Sequence, residues 1–94
     1  MSELQWHPQA LVDRQALFTQ LAEHAPEDAN IWDRELDTKL QQVAANPSAL
    51  LLGRVAGTHE LVLSPHYVAV LRITKEGSNI EVLRLLHAFK REPA

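Results

Sequence analysis

Three histidines in the second half of the chain, His59, His66 and His87, and five cations near them, Arg54, Arg72, Arg84, Lys90 and Arg91, are the residues whose types could do chemistry. Imidazole titrates near neutrality and can take up or release a proton. Guanidinium and ammonium groups hold phosphate oxygens. Together these are the parts needed to cleave RNA without a metal: a base for the 2′-hydroxyl, an acid for the leaving oxygen, and cations on the phosphate. Arg54, His59, Arg72 and His87 form the catalytic set to test. Alternation works against assembling it. In regular strands Arg84 lies on the face opposite His87, and Arg72 on the face opposite Tyr67. The other reading open at each histidine is a surface or half-buried ring satisfied by a neighbour. No two histidines stand four apart on a helical stretch, no carboxylate cluster accompanies them, and there is no cysteine, so neither a metal nor another cofactor is expected.

The elements that must position these residues lie mainly between Gly53 and Pro93. His59–Leu63 is short and alternating. Tyr67–Thr74 is rich in β-branched and aromatic residues, which suit a pleated surface, and Ile80–Leu86 is a third such run. Ser64-Pro65-His66 and Lys75–Asn79 carry turn chemistry. Strands joined by connections this short must form an antiparallel meander, because parallel neighbours need a long crossover. Upstream, Glu3–Trp6 reads as a first strand. Pro8 suits the first turn of a helix running to His24, and Ala10, Leu17, Phe18 and Leu21 recur on it at helical spacing. Ala25-Pro26 breaks that helix and opens another, with Glu27 and Asp28 placed where the helix dipole favours them. Along the second helix Ala29, Trp32, Leu36, Leu40 and Val43 make one apolar stripe, and Asn46-Pro47 ends it. Two helices joined this tightly fold back on each other. The expected architecture is therefore α+β in the order β-α-α-β-β-β, with a helical hairpin packed on one face of a small, mainly antiparallel sheet. Trp32, Leu36, Leu40, Leu61, Leu71 and Ile73 are expected in one core. Leu50, Leu51 and Leu52 fall in the long connection Ser48–Thr58, where they either tuck under the sheet or wait for a partner.

Residues 1–94 make one domain. No apolar run approaches a membrane span, and no basic segment followed by an apolar stretch opens the chain, so the cytoplasm is the expected compartment. The net charge of −3 is unevenly divided: residues 1–52 carry three basic and eight acidic side chains, residues 53–94 six basic and four acidic. A chain acidic overall is ill suited to non-specific nucleic-acid binding, which depends on phosphate neutralisation, and direct DNA binding by the chain alone is not expected.

The short strand ending in Trp6, the helical hairpin, Asn46-Pro47 and then Gly53-Arg54-Val55-Ala56-Gly57-Thr58-His59-Glu60-Leu61-Val62 resemble the RelE/ParE superfamily of bacterial toxins. Tyr67–Ile73 and Ile80-Glu81-Val82-Leu83-Arg84-Leu85-Leu86-His87 are similar to that family's last two strands, and Pro93 to its closing proline. The likeness spans the chain. It implies the toxin half of a type II toxin–antitoxin pair, held inactive by a cognate antitoxin. The superfamily holds two activities. Its RelE branch cleaves messenger RNA on the ribosome; those members commonly carry an arginine after the aromatic residue that opens the long strand, where this chain has Val68. They also carry a Gly-Lys-Arg-like turn after the last strand, where His87-Ala88-Phe89 stands here. The ParE branch poisons DNA gyrase and is not an enzyme. Its strand end, a hydrophobic pair followed by His and a small residue, resembles Leu85-Leu86-His87-Ala88, although Leu71 rather than tyrosine precedes Arg72. The resemblance leans to ParE, with DNA gyrase as the target and the ribosome with its message as the alternative. A third reading is an inert module that keeps the fold for binding alone.

Two binding regions follow as expectations. Arg84, His87, Phe89, Lys90 and Arg91 make a basic segment around an aromatic, a composition typical of an interaction hot spot, and are assigned to the target. The competing placement for Phe89 is folded back on the helices. Leu50, Leu51, Leu52, Tyr67 and the sheet edge are assigned to the antitoxin, which would add a strand or lay a helix there.

Overall fold

The second helix shows most simply how this chain folds. Ala29, Leu36, Leu40 and Val43 are buried along one side of it, Trp32 is half-buried on the same stripe, and acidic Glu27 and Asp28 occupy its first turn. The computed structural model of the chain describes residues 3–45, 51–52, 57–64, 66–74 and 79–87. In order they form β1 (Glu3–Trp6), α1 (Pro8–His24), α2 (Pro26–Ala45), β2 (Leu51–Leu52), β3 (His59–Ser64), β4 (Tyr67–Thr74) and β5 (Asn79–His87). Pro8 stands at the start of α1, where its missing N–H has no intrahelical partner to lose. A single residue, Ala25, separates the helices, and its N–H bonds the Leu21 carbonyl at 2.8 Å, so the chain reverses at once into the hairpin.

The sheet runs β1-β5-β4-β3-β2. β3, β4 and β5 are the expected antiparallel meander. β1 lies parallel to β5 on the far edge, with Trp6 opposite Val82, and the His7 N–H extends the pairing to the Val82 carbonyl at 3.0 Å. One element differs from the sequence reading. Leu51 and Leu52, placed there in a connection, pair antiparallel with Glu60 and His59 as a two-residue edge strand. Ahead of β3, Gly57 takes φ +82°, a left-handed conformation that a residue with a Cβ rarely adopts.

The hairpin covers one face of the sheet. Leu36, Leu40 and Leu71 are fully buried in a shared core with Ala10, Leu17, Ala69, Ile80 and Val82, and Trp32, Leu61 and Ile73 pack against it half-buried. The expected core is therefore present as one cluster. Several expected features lie outside the described residues: Asn46-Pro47, Leu50, Arg54, Pro65, the Lys75–Ser78 turn, and Ala88 onward with Phe89, Lys90, Arg91 and Pro93. The side chains of Leu51 and Leu52 lie outside them too. No helix among the described residues is long and apolar enough to cross a membrane.

Candidate functional site

The end of the sheet where β3 turns into β4 collects the aromatic and imidazole groups. Tyr67 opens β4 and sits opposite His87, the last residue of β5, with ring centroids 5.3 Å apart. His66 lies 6.3 Å from the same ring, and Trp32 of α2 meets it edge-on at 5.9 Å. The phenol ring is thus held between α2, the end of β5 and the turn residue His66, an arrangement that fixes aromatic side chains. A cavity of about 40 Å³, room for a water molecule, is lined by Asp13, Ala16, Leu17, Gln20, Leu85, Leu86 and His87, and Tyr67 itself lines a larger open groove of about 400 Å³ with Gln20, Leu21, Glu23, His24, Ala25 and Asp28.

Two β-bulges shape this end. One interrupts the β4–β5 ladder between Val70 and Leu71, where Leu71 faces Val82 but Val70 faces Arg84. The other interrupts β3–β4 between Val62 and Ser64. The first lies before Arg84, so Arg84 opposite Val70 and His87 opposite Tyr67 keep the opposite-face alternation expected of them. Past the bulge, Arg84 reaches α1: its Nε donates to Asp13 Oδ2 at 2.7 Å and its Nη2 to Asp13 Oδ1 at 3.0 Å. The Leu85 N–H donates to the same Asp13 Oδ2 at 3.0 Å. Burial pushes the Asp13 carboxyl up, but the bonds from Arg84, the Leu85 N–H and Gln9 outweigh it and hold the group below its ordinary value. Arg84 was assigned to the target; the structure places its guanidinium on Asp13.

Neither Asp13 nor Lys39 was singled out in the sequence. Asp13 is the charged side chain at 9 % exposure inside the core stripe Ala10–Asp13–Leu17, and that 3, 4 spacing was the available signal. Lys39 of α2, three residues past Leu36 on the core side, donates its Nζ to the Leu63 carbonyl at the second bulge.

Of the residues named for the nuclease alternative, His59, Arg72 and His87 do not converge. Arg72 follows Leu71 and so points away from the hairpin, where its Nε donates to Glu81 Oε1 at 2.8 Å. Glu81 Oε2 lies 2.7 Å from His7 Nε2. His59 pairs with Leu71 and His87 with Tyr67, which puts the two rings on the hairpin side but four residues apart along β4, about 13 Å. They also flank β4 from opposite sides. His59 Nδ1 is buried without a hydrogen-bond partner among the described residues. Arg54 lies outside them. No group of three or more potential ligands that could hold a metal occurs among the described residues.

The Arg72–Glu81–His7 chain ties β4, β5 and the start of α1 together on the open face, and it carries a pH dependence. The hydrogen bond from Arg72, then that from His7, holds the Glu81 carboxyl at about 2 against an ordinary 4.5. A carboxylate with a depressed value in the folded state stabilises fully above its unfolded value and loses that contribution as pH falls toward the folded one. Thermal midpoints of the wild type should therefore drop as pH is lowered from 4.5 to about 2. Glu81→Gln should melt lower at neutral pH and show a shallower slope in that window. Equal slopes for the two proteins would mean that Glu81 does not contribute.

Residues 4–90 match the family described as ParE toxin of type II toxin-antitoxin system, parDE. Among curated protein sequences none matches the chain. A chain of the chromosomal ParDE toxin–antitoxin system from P. aeruginosa superposes with a TM-score of 0.78 at 23 % identity, covering 93 % of this chain and 96 % of that one. A chain of the intact RelBE toxin–antitoxin complex from E. coli gives 0.65 at 19 % identity, covering 94 % and 98 %. The YoeB/ParE toxin from Agrobacterium tumefaciens gives 0.64 at 15 %, covering 90 % and 96 %. These structural likenesses establish a shared fold.

Proposed function

The chain belongs to the ParE toxin family of type II toxin–antitoxin systems, and from that premise we propose that it arrests bacterial growth by inhibiting DNA gyrase and is neutralised by a cognate antitoxin. The observation that carries the choice of target is the dispersal of the candidate nuclease groups. Metal-free RNA cleavage needs a base, an acid and a cation within hydrogen-bond reach of one phosphate. Here Arg72 bonds Glu81 on the open face, Arg84 bonds Asp13, and His59 and His87 flank different ends of β4. Val68 also stands where RelE-like sequences carry arginine, and it is buried, so no cation replaces it there. Acting by binding needs no such convergence. It needs an anchored surface, and the target is assigned to the end of β5, where His87 rests against Tyr67, with Arg84 and the sequence Phe89-Lys90-Arg91. The antitoxin is assigned to Leu50, Leu51, Leu52 and Tyr67, with the β2 edge beside His59 and Glu60 as the place where a strand could be added. That the solved relatives include toxin–antitoxin complexes supports a protein partner of this kind.

Purified protein added to gyrase should stop supercoiling while ribosome-bound messages stay intact. Removing residues 89–94 should abolish growth arrest and gyrase inhibition, yet leave thermal stability and antitoxin capture near wild type. The opposite pattern would overturn the proposal: messages cut in the ribosomal A site, cleavage lost in His87→Ala, and gyrase unaffected. Full-length protein that arrests nothing when expressed alone would leave only the binding module.

A further inference from the structure

We propose that Asp13 of α1 and Lys39 of α2 are positioning residues. Each anchors the chain at or just past one of the two bulges that flank β4, and together they set the pose of the sheet end that carries Tyr67 and His87. This rests on the reading that the sheet end and the segment after it meet the target.

The register of the strands shows what the bulges do. Had the pairing of Leu71 with Val82 continued without interruption, Tyr67 would stand opposite Leu86. The bulge adds one residue, and His87 takes that place instead, its ring 5.3 Å from the phenol. On the other side, uninterrupted pairing from Val62 and Val68 would set Leu63 against Tyr67, where the bulge sets Ser64. Because side chains alternate, a slip of one residue exchanges the faces of everything beyond it. Both bulges therefore decide which side chains accompany Tyr67, and in β5 the bulge decides the face on which the strand ends.

A bulge leaves a backbone group outside the ladder, and a buried backbone group needs a partner. In β5 the extra residue is Leu83, and two residues on, where the pairing with β1 has ended at Trp6 and Val82, the Leu85 N–H finds Asp13 Oδ2 at 3.0 Å. In β3 the Leu63 carbonyl finds the Lys39 ammonium. The two helices thus each supply one charge, of the sign its orphan requires, one on either flank of the same strand. Arg84, next to Leu85, adds a fork of two bonds to the same carboxylate and closes off its remaining oxygen. The unbulged register would leave the Asp13 carboxylate without these partners, so the carboxylate favours the register that puts His87 beside Tyr67.

The test compares wild type with Asp13→Asn, Lys39→Met and Lys39→Arg by amide hydrogen exchange and by growth arrest on graded induction, at a temperature well below every melting midpoint. In Asp13→Asn the amides of Leu85, Leu86 and His87 should exchange about ten- to a hundredfold faster, the size of one lost hydrogen bond to a charged acceptor, while α2 and the centre of β4 keep their protection. Growth arrest should weaken by at least about tenfold, while antitoxin capture stays within about threefold. Lys39→Met should show the same pattern centred on Leu63 to Tyr67, and Lys39→Arg should restore it. Unchanged exchange at Leu85–His87, protection lost evenly over the whole core, or full growth arrest in Asp13→Asn and Lys39→Met would each overturn the assignment. A wild type that arrests growth without touching gyrase would refute the proposed target, yet these comparisons would still decide the positioning role. If the wild type arrests nothing, the exchange pattern alone decides it.

Discussion

Leu71→Asp is expected to abolish the cooperative melt of this domain. Leu71 lies at the middle of β4 at 0 % exposure, between the ladder partners His59 and Val82 and under the helical hairpin. Truncating such a leucine to alanine removes about 2–5 kcal/mol through lost transfer energy and the cavity left behind. Aspartate adds a larger cost. A carboxylate in this apolar site has one polar neighbour, the His59 ring across the ladder, and where that does not pair with it the acid must take up a proton, at about 1.4 kcal/mol for each unit its pKa is driven upward toward neutrality. The neutral acid then still needs a hydrogen-bond donor or acceptor that Leu36, Leu40, Ile80 and Val82 cannot supply. Together these terms meet or exceed the roughly 5–14 kcal/mol available to a chain of this length. Leu71→Ala serves as the control: it should still melt cooperatively, about 8–40 °C below wild type at roughly 4–8 °C per kcal/mol. Circular dichroism on the three proteins reads the outcome. A Leu71→Asp protein with a sigmoidal transition near the wild-type midpoint would mean that position 71 does not face the hairpin and that the strand register is wrong.

Those features legible in the sequence were the ones written in a single periodic pattern. The α2 stripe from Ala29 to Val43 announces its buried side through spacing alone, and Tyr67–Thr74 announces a strand through β-branched residues and turn chemistry at both ends. The short connections force the meander. What spacing cannot express is a partner far away in the chain. Nothing local to Glu3–Trp6 says that it will lie parallel to β5, more than seventy residues on. Asp13 was passed over because a charged residue on an amphipathic helix is ordinarily on the wet side, although it stands in the Ala10–Leu17 stripe. Leu85 and Leu86 are adjacent and both buried, as are their ladder partners Ala69 and Val68, so burial at this end is not confined to the hairpin face. The cations of the candidate site were visible as residue types, but not their commitments: Arg72 to Glu81 across the ladder, and Arg84 to an aspartate on the other side of the core. Leu51–Leu52 shows the same limit in another form, since two residues carry too little pattern to declare a strand without the edge of β3 beside them.

Asp13→Ala should cost more than the simultaneous replacement of both members of its ion pair. The single substitution leaves the Arg84 guanidinium without its carboxylate and the Leu85 N–H without its acceptor. Stranding one member of a buried pair costs about 3–5 kcal/mol. The Arg84 side chain keeps 23 % of its exposure and can recover some hydration, which favours the lower end of that range. At about 3 kcal/mol the thermal midpoint should fall by roughly 12–24 °C. Asp13→Leu combined with Arg84→Met removes both charges and keeps the volume, so no ion is left stranded. Only the Leu85 N–H remains unpaired, at a cost of about 1–3 kcal/mol. The double variant should therefore melt above Asp13→Ala, while Arg84→Met alone, which leaves the buried carboxylate with the Leu85 N–H and Gln9, should fall between it and wild type. Urea unfolding of these four proteins together with Asp13→Leu, which closes the cycle, gives the coupling energy. If the double variant is as unstable as Asp13→Ala, the loss comes from the Leu85 N–H and the fit of the side chain, and the stranded charge contributes little. If Asp13→Ala unfolds like wild type, the carboxylate does not hold the bulge, and the register that sets His87 against Tyr67 must be stabilised by the strand packing alone.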